Sequence, residues 1–159
     1  NEIVSLDCDD LDFVPEGLKI NIKRSKTDQF GEGSVKALPY FNKSQYCPVV
    51  SLKKWMDLTS ITSGPVFRRF IKGSKLSENR LTNQTVALLI KEYLNLAGID
   101  STNYSGHSLR SGFATSAAES GAEERSIMNM TGHKSTEMVR RYIKEANLFI
   151  NNLLNKLKL

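Results

Sequence analysis

Two histidines, one arginine and one tyrosine crowd the stretch GHSLRSGFATSAAESGAEERSIMNMTGHKSTEMVRRYI, Gly106 to Ile143. His107 and His133 are the only histidines of the chain, and each follows a glycine. Arg110 stands three residues after the first, and Tyr142 nine residues after the second. Together these side chains suit attack on a phosphate diester. Charge builds on the non-bridging oxygens in the transition state. An arginine can hold those oxygens in a bidentate way, and a histidine can donate a further hydrogen bond. A tyrosine hydroxyl can attack phosphorus and hold the intermediate covalently. The departing sugar oxygen then needs a proton, which a positioned lysine can supply. Side chains provide the positive charge, so no metal is required and none is expected. No carboxylate cluster has metal-ligand spacing.

Each feature alone has a plainer reading. His-x-x-Arg on a helix is a weak motif. Gly132-His133 reads equally as a helix-ending glycine followed by a polar turn residue. Tyr142, flanked by Arg140, Arg141 and Lys144, reads as an interfacial ring among snorkelling cations. Lys26, in a loop as Ser-Lys-Thr, reads as a solubilising hairpin-tip residue.

The elements that would carry these residues are mostly helices. The opening Asn1–Leu6 reads as the end of a helix. Three short strands follow: LDFV, LKINIK with Leu18, Ile20 and Ile22 on one face, and VKALPY. RSKTDQFGEG forms the loop between the last two, with Gly31 and Gly33. PVVSLKKWMDLTS is an amphipathic helix starting at Pro48, and GPVFRRFI a short strand or extended link. NQTVALLIKEYLNLAG is a long helix with a Val86, Leu89, Tyr93, Leu96 stripe that stops at Gly98. HSLRSGFATSAAESG is a helix expected to turn Leu109, Phe113 and Ala117 into the core. Its other face carries His107, Arg110, Ala114 and Ala118, whose small alanines admit a close neighbour. EERSIMNM is a short helix ending near Gly132, and the remainder is one helix or two. The expected class is α+β, mainly α, with a small antiparallel three-stranded sheet and a C-terminal helix.

Composition narrows the field only coarsely. With 159 residues the chain has a single-domain length. Its net charge of +5 permits a polyanionic partner without demanding one. No apolar run approaches a membrane span. Cys8 and Cys47 lack zinc spacing and read as reduced thiols of an intracellular protein. The acidic start lacks the features of a signal peptide.

HSLR followed by GHKSTEMVRRY resembles the catalytic signature of the tyrosine recombinases, the phage-integrase family. Ser25-Lys26-Thr27 is similar to that family's hairpin lysine. The opening NEIVSLDCDDLDF resembles the segment after the family's first catalytic arginine. Glu2 fits the glutamate of Arg-x-x-Glu, which would put that arginine two residues before Asn1. The resemblance therefore implies residues 1–159 are a catalytic domain truncated at its N-terminus, without the DNA-clamping domain, whose own activity is in doubt. It implies cofactor-free cutting and rejoining of DNA through a 3′-phosphotyrosyl link. Tyr142 would be the nucleophile, Arg110 the phosphate clamp and His107 an aid to proton transfer. His133 would hydrogen-bond the phosphate, Lys26 protonate the leaving oxygen, and Glu2 orient a neighbour. Lys23, Arg24, Lys134, Arg140 and Arg141 are candidates for phosphate contacts along the DNA backbone. The implied partners are double-stranded DNA and further recombinase protomers, in a tetramer on DNA, acting in the cytoplasm. The apolar stripe of ANLFINNLLNKLKL would pack on its own core or dock on a neighbouring protomer. Two other readings stay open: type IB topoisomerase-like cleavage, and a non-catalytic DNA-binding module of the same fold.

Overall fold

The computed structural model describes residues 2–23, 33–41, 45–133 and 135–150, the stretch 145–150 by backbone alone. They fall into two compact units, Asn1–Val86 and Ala87–Leu159.

The first unit opens with α1 (Glu2–Ser5) and a 3₁₀ turn at Cys8–Asp10. Strands β1 (Leu11–Val14), β2 (Gly17–Ile22) and β3 (Ser34–Pro39) form an antiparallel sheet in that order. The alternation in β2 does what it promises: Leu18 is buried, Ile20 and Ile22 are half-buried, and Lys19 and Asn21 face solvent. Gly17 sits opposite Pro39. A Cβ there would run into the Leu38 carbonyl oxygen, so the close approach of β3 requires glycine. Helix α2 (Pro48–Thr59) starts on its proline, whose missing N–H costs nothing in a first turn. Its Val49 joins Leu18 and Cys47 in a small core, with Phe13, Leu38 and Leu52 around it. Cys8 and Cys47 are both free thiols.

A second sheet was not foreseen. GPVFRRFI yields only β4 (Arg68–Ile71), which pairs with β5 (Lys75–Arg80) as a hairpin. KLSENR has no apolar alternation to announce a strand. It is held by the turn at Gly73 and Ser74, both left-handed, and by Arg80. That guanidinium donates to the carbonyls of Val4 (2.8 Å) and Leu6 (3.1 Å) and pairs with Asp7 at 2.7 Å. It thereby caps the C-terminal carbonyls of α1, which a short helix leaves unpaired. Trp55 of α2 donates its indole N–H to the Val66 carbonyl at 2.9 Å, fixing the segment that leads into β4.

The boundary between the units falls within α3 (Asn83–Leu96). The expected stripe of α3 is corrected. Val86 is half-buried, but Leu89, Tyr93 and Leu96 are exposed, and Ile90 and Leu94 are the half-buried pair. Apolar residues ring this helix almost completely, so periodicity alone does not select a face.

The second unit continues with α4 (Gly106–Glu119), α5 (Glu124–Thr131) and α6 (Thr136–Ile150). Its core is Ala114, Ala118, Ile127 and Val139, with Ala117, Met128, Tyr142 and Ile143 packed against it. This overturns the orientation expected for α4: Leu109 is 58% and Phe113 49% exposed, while Ala114 is fully buried. Side-chain size pointed to the wrong face. The face that is covered is the small one, because alanines let α6 and α5 come close. Among the described residues, no helix is long and apolar enough to cross a membrane.

Candidate active site

Two element ends and one helix face bring the chemistry-bearing residues of the second unit together. Ser105 caps α4: its hydroxyl accepts the His107 N–H at 3.2 Å, and Ser108 Oγ accepts the Ser105 N–H at 3.0 Å. This cap fixes the first turn of α4. His107 therefore stands in the first turn of α4 and Arg110 just after it, with no acidic residue in that turn. Such a helix end favours an anion. His107 is exposed and Arg110 half-buried.

His133 arrives from another element. Helix α5 ends at Gly132, which is left-handed at φ 70° and donates its N–H to the Met128 carbonyl at 2.8 Å. The helix-ending glycine and the candidate histidine are thus one feature. The left-handed residue reverses the chain so that His133 leaves α5 toward α4. Thr131, buried at the last position of α5, contacts His133 Nδ1 at 2.6 Å and donates to the Ile127 carbonyl at 2.6 Å. His133 Nε2 is buried and has no hydrogen-bond partner among the described residues. Burial, then the charge of Arg110 and that of His107, hold the His133 imidazole below its ordinary value of 6.5. The same influence shows that both residues of α4 lie within electrostatic reach of His133.

Tyr142 comes from α6. Val139, one turn earlier, is buried in the core, and Tyr142 and Ile143 continue that face. The Tyr142 ring lies 6.2 Å from that of His133, centroid to centroid, tilted by 51°. Its hydroxyl donates to Ser111 Oγ at 3.2 Å, and Ser111 donates in turn to the His107 carbonyl at 3.2 Å. These contacts are long for hydroxyl pairs, so Ser111 tethers the phenol lightly. Ser111, Ala114 and Ala118 form one stripe of α4. The alanines bring α6 near enough for Tyr142 to reach the serine.

His107, Arg110, His133 and Tyr142 are thus assembled in one unit. Glu2 is half-buried in α1 of the other unit. Lys26, Arg24 and Lys134 lie outside the described residues. Lys23 is exposed and pairs with buried Asp10 at 2.7 Å. Burial pushes the Asp10 carboxyl up, but the Lys23 contact, the Asp7 N–H and Arg80 together bring it below its ordinary value of 3.8. Arg140 pairs with Glu124 at 3.0 Å, and Arg141 is exposed. Among the described residues, no cluster of His, Cys, Asp and Glu could hold a metal ion.

Ser111 and Thr131 were missed in the sequence. One signal was present for each. Ser111 follows Arg110 one turn after His107, and Thr131 sits four residues after Ile127 on the apolar side of a short helix.

Known proteins resemble this chain in sequence and in fold. An integrase/recombinase xerD homolog of Selenomonas ruminantium is 43% identical over 157 residues, covering 99% of this chain and 46% of that protein. The chain thus spans about half the length of the curated relative it matches. The crystal structure of XerA recombinase superposes with a TM-score of 0.67 at 21% identity, over 99% of this chain and 51% of that one. A XerH site-specific recombinase bound to its palindromic difH substrate superposes at 0.66 and 21% identity, over 96% of this chain and 42% of that one. At that identity the two structures establish the fold, and its class is α+β with a predominance of helix. The sequence model described as the phage integrase family matches residues 1–148, and the chain belongs to that family.

Proposed function

We propose that this chain is the catalytic part of a site-specific DNA recombinase that cuts and rejoins DNA through a 3′-phosphotyrosyl intermediate. One observation carries the reading. A phenol, two imidazoles and a guanidinium, from two helices and a loop, meet in one unit. The Tyr142 oxygen attacks phosphorus, the bond to the 5′ oxygen breaks, and that oxygen takes a proton to leave as a hydroxyl. Arg110 holds the non-bridging oxygens as their charge grows, and His133 shares that load. His107 supports the proton transfer, and Lys26 delivers the proton to the leaving oxygen. The tyrosyl ester conserves the phosphodiester energy, so a 5′-hydroxyl of a second duplex can reverse the step without a cofactor. Glu2 orients a neighbour, while Lys23, Arg24, Lys134, Arg140 and Arg141 meet backbone phosphates. The partners are duplex DNA and further copies in a tetramer, with the C-terminal segment after Lys144 docking on a neighbour, in the cytoplasm. The XerH protein solved in a post-cleavage complex with DNA supports the DNA partner.

The test is covalent capture. The full protein is incubated with nicked duplexes of randomised sequence, and protein–DNA adducts are recovered under denaturing conditions. An adduct mapped to residue 142 and absent in Tyr142→Phe is the expected result. DNA bound with no adduct supports a binding module instead. Adducts that relax supercoiled plasmid without strand exchange support the topoisomerase.

A further inference from the structure

The hydroxyl of Thr131 has one proton and two short contacts. One contact is the Ile127 carbonyl oxygen at 2.6 Å, which can only accept. Without a proton between them, two oxygens at that distance would repel, so the Thr131 proton points at Ile127. The second contact, His133 Nδ1 at 2.6 Å, must then supply its own proton. Neutral His133 is therefore protonated on Nδ1, and Nε2 carries a bare lone pair. That nitrogen is the one found buried without a partner among the described residues. Thr131 itself is 6% exposed, so water does not compete for its hydroxyl.

We infer that Thr131 is a positioning residue that fixes the tautomer of His133, so that an anion bound in the site draws one proton onto Nε2. The coupling to an anion rests on the phosphate-handling function proposed above, whereas the tautomer does not. A lone pair cannot donate to a phosphate oxygen. For His133 to share the phosphate charge, Nε2 has to gain a proton from solvent, giving an imidazolium with both N–H groups engaged. The groups acting on it are Arg110 and His107 from α4, both of which oppose that charge, and the Tyr142 phenol from α6. A bound anion offsets that opposition and makes protonation favourable. The free site is thereby kept at lower positive charge, and the extra charge arrives with the substrate.

Nitrogen-15 spectra of the histidine rings in the full chain test this directly, with His107 as the internal comparison. The expected free-state signature at neutral pH is a protonated Nδ1 and a bare Nε2 for His133. Adding sodium sulfate, against sodium chloride at equal ionic strength, raises the His133 titration midpoint by about one pH unit. Thr131→Val loses the Nδ1–H preference, and Thr131→Ser restores it. A His133 protonated on Nε2 in the free wild type overturns the tautomer assignment, as does an unchanged spectrum in Thr131→Val. A midpoint that ignores sulfate overturns the coupling. Absence of a Tyr142 adduct would remove the recombinase reading and leave the tautomer standing, so the two failures are distinguishable.

Discussion

Tyr142 and Ser111 show how little holds the proposed nucleophile in place. A phenol that donates to a serine already committed to a helix carbonyl is held in direction by a single contact. At 3.2 Å the tether is weak, on the scale of about 0.5–1.5 kcal/mol for an ordinary hydrogen bond. Ser111→Ala is therefore expected to slow single-turnover adduct formation about three- to tenfold while DNA affinity stays the same. Quenched-flow capture on a nicked duplex measures it. A hundredfold loss would mean that Ser111 takes part in the chemistry, and no loss would mean that the tether is incidental. The ring contacts of the serine and the threonine were illegible for the same physical reason. A hydroxyl on a helix ordinarily bonds back to the carbonyl four residues earlier, as Ser111 does to His107 and Thr131 to Ile127. Its second contact, to a ring on another element, is set by tertiary packing, which no local pattern encodes. The two histidines, the arginine and the tyrosine were legible because their types are scarce and their spacing is specific.

Among the elements, the packing of α4 against α6 decides where Tyr142 stands. Boundaries of helices and of the first sheet could be read from alternation, Pro48 and the glycines, because those signals are local. Which face of α4 is covered could not. Apolar size ranks Leu109 and Phe113 above Ala114 and Ala118, yet the close crossing selects the alanines. Strand β5 was unreadable because Arg80, rather than apolar burial, secures it. The crossing makes a contrast that can be measured. Ala118→Leu inserts volume where 4% of the residue is exposed, and overpacking of this kind costs about 1–3 kcal/mol. Leu109→Gln alters a largely exposed position and is expected within about 0.5 kcal/mol of wild type. Urea denaturation followed by circular dichroism gives both values. If Leu109→Gln were the costlier change, the alanine face would not be the packing face. Ala118→Leu also pushes α6 outward, so its loss of adduct formation should exceed what the fraction unfolded explains.

At the level of the whole molecule, each unit carries its own acid-sensitive group, and the two titrate in different windows. In the second unit His133 is half-buried, and its folded value lies below 6.5 because burial disfavours the charged ring. A chain that unfolds there binds a proton that the native state refuses, so stability is full above about pH 6.5 and falls as pH drops through that value. In the first unit the Asp10 carboxyl is held below 3.8 by Lys23, Asp7 and Arg80 against the opposing effect of burial. Its contribution is present above about pH 3.8 and is lost only beneath it. Amide exchange read separately in α4–α6 and in β1–β3 should then show two onsets. Protection in the helices begins to decline as pH falls below 6.5, while protection in the sheet persists until the carboxylate range. His133→Gln should abolish the first onset and spare the second, since the glutamine side chain takes up no proton there. Helices whose protection is unchanged down to pH 5 in the wild type would show that His133 is accommodated in its charged form. That result would also remove the reason for a site that waits for its substrate before acquiring the extra charge.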